Sequence, residues 1–167
     1  MEPSAPESPR LSGPFAVSWD VADIGDARLR QLHDYWRKRW REGRPPSRAD
    51  IDPLDLPRLL PFMFLADVLP DAGDFRFRLV GTHIREYMRI EFTGLLVSEG
   101  FPPDFAAEVL RQWRDCVARR APLMTAGDLG FVDRDHVKWQ GIAMPLVAAD
   151  DVVNMLLGAV IMGTGGG

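Results

Sequence analysis

Apolar residues recur most regularly in residues 26–42, where Leu29, Leu32, Tyr35, Trp36 and Trp40 fall at helical spacing among Arg28, Arg37, Lys38, Arg39 and Arg41. This pattern predicts an amphipathic helix, capped by Asp26 and ended by Gly43. The proline-rich stretch 44–48 reads as a linker. Asp52-Pro53-Leu54-Asp55 then supplies an N-cap acid, a proline suited to the first helical position and a second acid near the positive end of the helix dipole. It predicts a short helix, which Pro57 and Pro61 keep short.

Residues 62–69 read as an apolar strand and 70–74 as a turn. Residues 75–80 alternate strictly, with Phe75, Phe77 and Leu79 on one face and Arg76, Arg78 and Val80 on the other. The two strands make a hairpin. A short helix over 83–88 and a turn at Phe92-Thr93-Gly94 follow. Residues 103–120 form the second long helix, with an apolar stripe of Phe105, Val109, Leu110, Trp113, Cys116 and Val117. Three strands close the chain, at about 122–132, 136–147 and 152–162. Asp133-Arg134-Asp135 and Ala149-Asp150-Asp151 turn the chain between them.

Two strands, a helical crossover and three strands define an α+β fold: a five-stranded antiparallel sheet with helices on one face, preceded by the amphipathic helix. Residues 1–25 read as a flexible tail rich in Pro and Ser, whose Phe15, Val17 and Trp19 offer apolar groups for docking. Residues 26–163 read as one domain and 164–167 as a loose end.

Composition narrows the function classes. A hydrophobic share of 46% in 167 residues supports one domain with a real core and excludes a wholly disordered chain. The net charge of -4 argues against a nucleic-acid binder. A single cysteine, Cys116, excludes an internal disulfide framework and a paired-cysteine zinc site. No signal-peptide core and no membrane-length apolar run is visible, so we expect a cytoplasmic protein with no membrane partner.

Several stretches resemble one bacterial PAS family, often catalogued as the fifth PAS family. They are Pro46-Ser47-Arg48-Ala49-Asp50-Ile51-Asp52-Pro53, Leu59-Leu60-Pro61, Phe75-Arg76-Phe77-Arg78-Leu79-Val80-Gly81-Thr82, Thr93-Gly94 and Met144-Pro145-Leu146. The resemblance covers about residues 27–163. It implies a PAS fold and a role as a non-catalytic sensor or interaction module in bacterial signal transduction. The final hairpin departs from the family, carrying Asp150-Asp151 where glycine is frequent. No kinase, cyclase or DNA-binding module is evident, so a signal would pass through a protein partner or a homodimer.

PAS domains hold ligands between sheet and helices. Haem commonly needs an axial histidine, and the 103–120 helix, where one type of PAS haem protein places it, has none. Cys116 lacks the Asn-Cys-Arg-Phe context of a flavin adduct and sits on the apolar stripe. We therefore expect no cofactor, no metal and no catalytic residue. The candidate ligand-binding residues are Arg78, His83, Tyr87, Trp113 and Trp139. Arg78 either pairs with a ligand carboxylate or bridges to Asp67, Asp74 or Glu86; the tryptophans either line a cavity or fill the core.

Leu29, Leu32, Trp36 and Trp40 are candidate interface residues. Two alternatives stand beside the sensor. One is a small cone-shaped α+β enzyme using His83, Asp67 and Tyr87; the other is a pure dimerisation adaptor. The acids at 50, 52 and 55, and the group Asp133, Asp135 and His136, are explained by turns and helix caps.

Overall fold

A computed structural model describes residues 15–130 and 134–164. Six strands form one sheet: β1 (Ala16–Ser18), β2 (Met63–Val68), β3 (Phe75–Val80), β4 (Leu123–Leu129), β5 (Arg134–Val147) and β6 (Val153–Thr164). Their order is β1-β4-β5-β6-β2-β3, and every neighbouring pair is antiparallel. The helices are α1 (Ala27–Lys38), α2 (Thr82–Met88), α3 (Val97–Gly100) and α4 (Pro103–Arg119).

Side-chain alternation divides the interior into two layers. Along β6, Leu156 and Met162 face one side, while Met155, Leu157 and Ala159 face the other. The first side packs against α2, α3 and α4. The second packs against α1 and the short turns around Ile51, Leu56 and Leu59. Both faces of the central strands are covered, so β5 and β6 are apolar at successive positions rather than alternating with polar residues.

At Gly158 a side chain has no room. A Cβ there would fall inside contact distance of the Ile142 carbonyl and the Phe64 ring.

The expected elements are present; Arg134 and Asp135, expected in a turn, open β5, and four larger differences stand out. First, the sheet has six strands rather than five. Residues 16–18, read as part of the tail, pair with β4 through Ala16↔Ala126, Val17↔Thr125 and Ser18↔Met124. Second, α1 ends at Lys38, with Arg39 as its cap, and not at Gly43. Its end tightens through bonds from Arg39 N–H to the Trp36 carbonyl and from Trp40 N–H to the Arg37 carbonyl. Arg41 and Arg44 then exchange backbone hydrogen bonds around Glu42 (φ 53°) and Gly43 (φ 79°). The glycine marks this tight turn, where both central residues are left-handed.

Third, β3 does not alternate strictly. Leu65 pairs with Leu79 and Ala66 with Phe77, which leaves Arg78 as the extra residue of a β-bulge. Beyond it the phase reverses, so Val80 joins Phe75 and Phe77 in the layer under α2–α4 while Leu79 packs with the opposite layer. Fourth, helices cover both faces, because α1 lies on the outer one.

The outer edge of β3 is occupied by a returning segment. Phe77 N–H donates to the Leu95 carbonyl, Gly94 N–H donates to the Phe77 carbonyl, and Arg76 bridges to Leu96. In the final hairpin Asp151 takes a left-handed φ of 68° in place of a glycine. Arg120 holds it, donating to the Asp151 carbonyl and to Oδ1, both at 2.7 Å. Residues 1–14 of the expected tail and 165–167 of the expected loose end lie outside the described residues; Thr164 belongs to β6.

Candidate functional site

A cavity of about 110 Å³ lies between α2–α4 and the inner face of the sheet. Its walls come from the helices and from the sheet. Ile84 and Met88 on α2 and Phe105, Val109 and Trp113 on α4 form the helical side. Phe64, Phe77, Leu123, Thr125, Trp139 and Gly141 are among the residues on the sheet side.

Aromatic packing fixes these walls. Trp113 stacks on Phe64, with ring centroids 5.4 Å apart and planes 4° apart, and meets Phe77 edge-on at 5.9 Å. The Trp139 indole N–H donates to the Asp128 carbonyl at 3.1 Å, so its polar atom is satisfied away from the cavity.

The chemistry of the lining is simple. Among the described residues Thr125 carries the one hydroxyl of the lining, and no ionisable side chain, histidine or cysteine lines it. An enclosed apolar cavity of roughly this size can stay dry and take in a small nonpolar molecule such as benzene.

Of the five residues expected to bind ligand, Trp113 and Trp139 line this cavity and the other three do not. Arg78, the bulge residue, is 64% exposed and pairs with Asp67 at 2.6 Å. It follows the buried Phe77 on the exposed side of β3, and the ion-pair reading with Asp67 is the observed one.

His83 and Tyr87 sit one helical turn apart on α2, their rings 4.9 Å apart, beside the cavity rather than in it. The His83 ring also packs on Phe62 at 4.5 Å, and the Arg28 guanidinium lies over the Phe62 ring, 4.8 Å from its centroid. Burial, reinforced by the Arg28 charge, pushes the His83 pKa below the usual imidazole value; Glu86 acts weakly in the opposite sense. Asp67, the third residue of the trio proposed for an enzyme, pairs with Arg78.

The expected interface residues are mostly covered by the chain itself. Leu29, Leu32 and Trp36 are 2%, 0% and 1% exposed against the outer face of the sheet. The Trp36 indole N–H donates to the Pro145 carbonyl at 2.9 Å. These three are core residues of the domain, which corrects their reading as a partner-facing stripe. Trp40 is half-buried at the end of the stripe, under the Arg37 guanidinium.

The acids of residues 50–55 cap and brace. Asp50 accepts from Ser47 N–H, which lowers its pKa; Asp52 accepts from Leu54 N–H; and Asp55 accepts from the Tyr35 hydroxyl. Asp133 lies outside the described residues, as do the side chains of Asp135 and His136. Among the described residues no three His, Cys, Asp or Glu side chains come together to hold a metal ion, and no helix is long and apolar enough to cross a membrane.

Sequence reasoning missed Phe15, Thr125 and Gly141 as lining residues. The alternation of Leu123, Thr125 and Leu129 on β4 carried the information for Thr125. Phe15 carried none beyond being apolar. Glu108 and Gln112 on α4 are also buried, which a stripe of apolar residues does not foretell; Gln112 donates to Glu108 at 2.7 Å.

An antiparallel sheet with an apolar cavity between its inner face and α2–α4 defines an α+β domain. The family model for the PAS domain matches residues 25–161, and the chain belongs to that family. A solved structure described as an RNA-binding light-oxygen-voltage receptor matches at 17% identity with a TM-score of 0.44. The match covers 72% of this chain and 36% of the receptor chain. No curated protein matches.

Proposed function

We propose that this chain is a non-catalytic PAS sensor module of bacterial signal transduction whose cavity takes a small, largely nonpolar ligand. The observation that carries the reading is the cavity itself: about 110 Å³, walled by aromatic and aliphatic side chains, with Thr125 as its one polar side chain. Such a site selects by shape and apolar area, and a single hydroxyl orients at most one polar group of the ligand. A ligand seated there touches both the sheet and α2–α4, so it biases how the helices pack, which is the change a partner protein would read.

The test is native mass spectrometry of the purified full chain beside its denatured mass, followed by thermal unfolding with benzene and toluene as probes. Extra mass lost on denaturation, or a melting temperature that rises with the logarithm of probe concentration above Kd, is expected. A clean mass together with no response to either probe would overturn the reading.

A further inference from the structure

The residues ahead of the shared PAS segment, which begins at residue 25, build part of the cavity wall. Phe15 is 6% exposed, and its ring inserts between the layers. Its centroid lies 5.4 Å from that of Phe105 on α4 and 5.6 Å from that of Trp139 on β5.

The seat for this ring is a missing side chain. A Cβ on Gly127 would stand 3.1 Å from both the Phe15 Cβ and the Trp139 ring, tighter than ordinary contact. A few residues on, the Trp19 ring lies under the Arg119 guanidinium at 4.2 Å, which pins the far end of β1 to α4.

The aromatic walls are not equally fixed. Phe64 and Phe77 sit on strands β2 and β3, and Phe105 and Trp113 on α4. Trp139 lies on β5, between two long partners. Phe15 immediately precedes an edge strand of three residues that pairs with β4 alone. Among these walls it is the one whose removal or displacement breaks the fewest backbone pairings.

We infer that Phe15 is the specificity-determining residue of the cavity: its ring closes the end of the site and limits the ligand to about the size of one six-membered ring. The inference rests on the reading that the cavity binds a nonpolar ligand. It adds that the size limit is set by a segment outside the shared PAS region, so the ligand class is a property of this chain rather than of the family fold.

The experiment compares the full-length protein with Phe15→Ala and Phe15→Leu, titrating benzene and naphthalene by calorimetry. The wild type is expected to bind benzene and to bind naphthalene at least roughly tenfold more weakly than Phe15→Ala does. Phe15→Leu keeps an apolar anchor for β1 while shortening the wall, so it is expected to fall between the two and serves if the alanine variant does not fold. Equal naphthalene affinity in the wild type and the variants, with benzene still bound, would overturn the role of Phe15 and leave the cavity reading intact. Failure of both probes to bind any of the folded proteins would overturn the cavity reading and this inference with it.

Discussion

The imidazole Nε2 of His83 accepts the backbone N–H of Met162 at 3.0 Å. The bond stands where the sheet runs out. β2 pairs with β6 only as far as Met63↔Ala159, so the N–H of Met162 has no strand partner on that side. Histidine completes the ladder from α2 and ties that helix to a strand residue that also lines the cavity. The acceptor role requires a neutral ring with its proton on Nδ1.

This bond makes stability depend on pH. The folded pKa of His83 lies below the unfolded one, so the unfolded chain binds the proton first as pH falls. The contribution is fully present above about pH 6.5, the usual imidazole value. It is lost as pH drops through the lowered folded pKa. Arg28 and Glu86 are the charged groups acting on the ring. Urea midpoints measured from pH 7.5 to pH 5 should fall for the wild type and change less for His83→Gln. Parallel curves for the two proteins would contradict this assignment.

Trp36→Phe should destabilise the domain without changing its assembly. The substitution leaves the buried Pro145 carbonyl without its 2.9 Å donor. An unsatisfied buried acceptor costs about 1–3 kcal/mol. Denaturant unfolding measures the loss, and light scattering should return the wild-type mass because Trp36 already lies in the domain's own core.

Cys116 should be chemically silent in the native state. Its side chain is fully buried, its Sγ lies 3.2 Å from the Ala121 carbonyl, and burial pushes the thiol pKa far up. A disulfide reagent at pH 8 should leave the folded protein unmodified and label one thiol per chain after unfolding in urea.

Gly158→Ala tests the packing of Phe64 against β6. The new methyl group meets the Ile142 carbonyl and the Phe64 ring, and the carbonyl belongs to a paired strand that cannot yield. A loss of about 1–3 kcal/mol or more is expected. Because Phe64 stacks on Trp113, the tryptophan emission should shift as well.

How far the sequence reveals this molecule depends on the range of each interaction. The long periodic stretches of α1 and α4 and the FRFRLV strand declare themselves through neighbours three, four or two residues away. The strand β1 does not, because Ala16-Val17-Ser18 is too short to show a period and forms a strand only when β4 offers its edge. The bulge at Arg78 was equally hidden: strict alternation predicts that Arg78 shares a face with Val80, and only the register against β2 separates them.

The same limit applied to the site. Trp113 and Trp139 were legible as large aromatics on buried faces. Arg78 and His83 attracted attention by their charge and ring nitrogens, yet both are occupied by structural partners. The cavity is made of residues without distinctive chemistry, so its position emerges only from the packing of sheet on helices.

The segment that returns along β3 has a consequence for self-association. An exposed strand edge is a template on which further chains can add, and proteins guard against it by covering or shortening such edges. Here residues 94–96 occupy one margin of the sheet and the three-residue β1 forms the other. Among the described residues neither margin offers a long row of free backbone donors and acceptors. At high concentration the folded protein should therefore resist growth into extended β-fibrils, and any association of copies should proceed through side-chain surfaces instead.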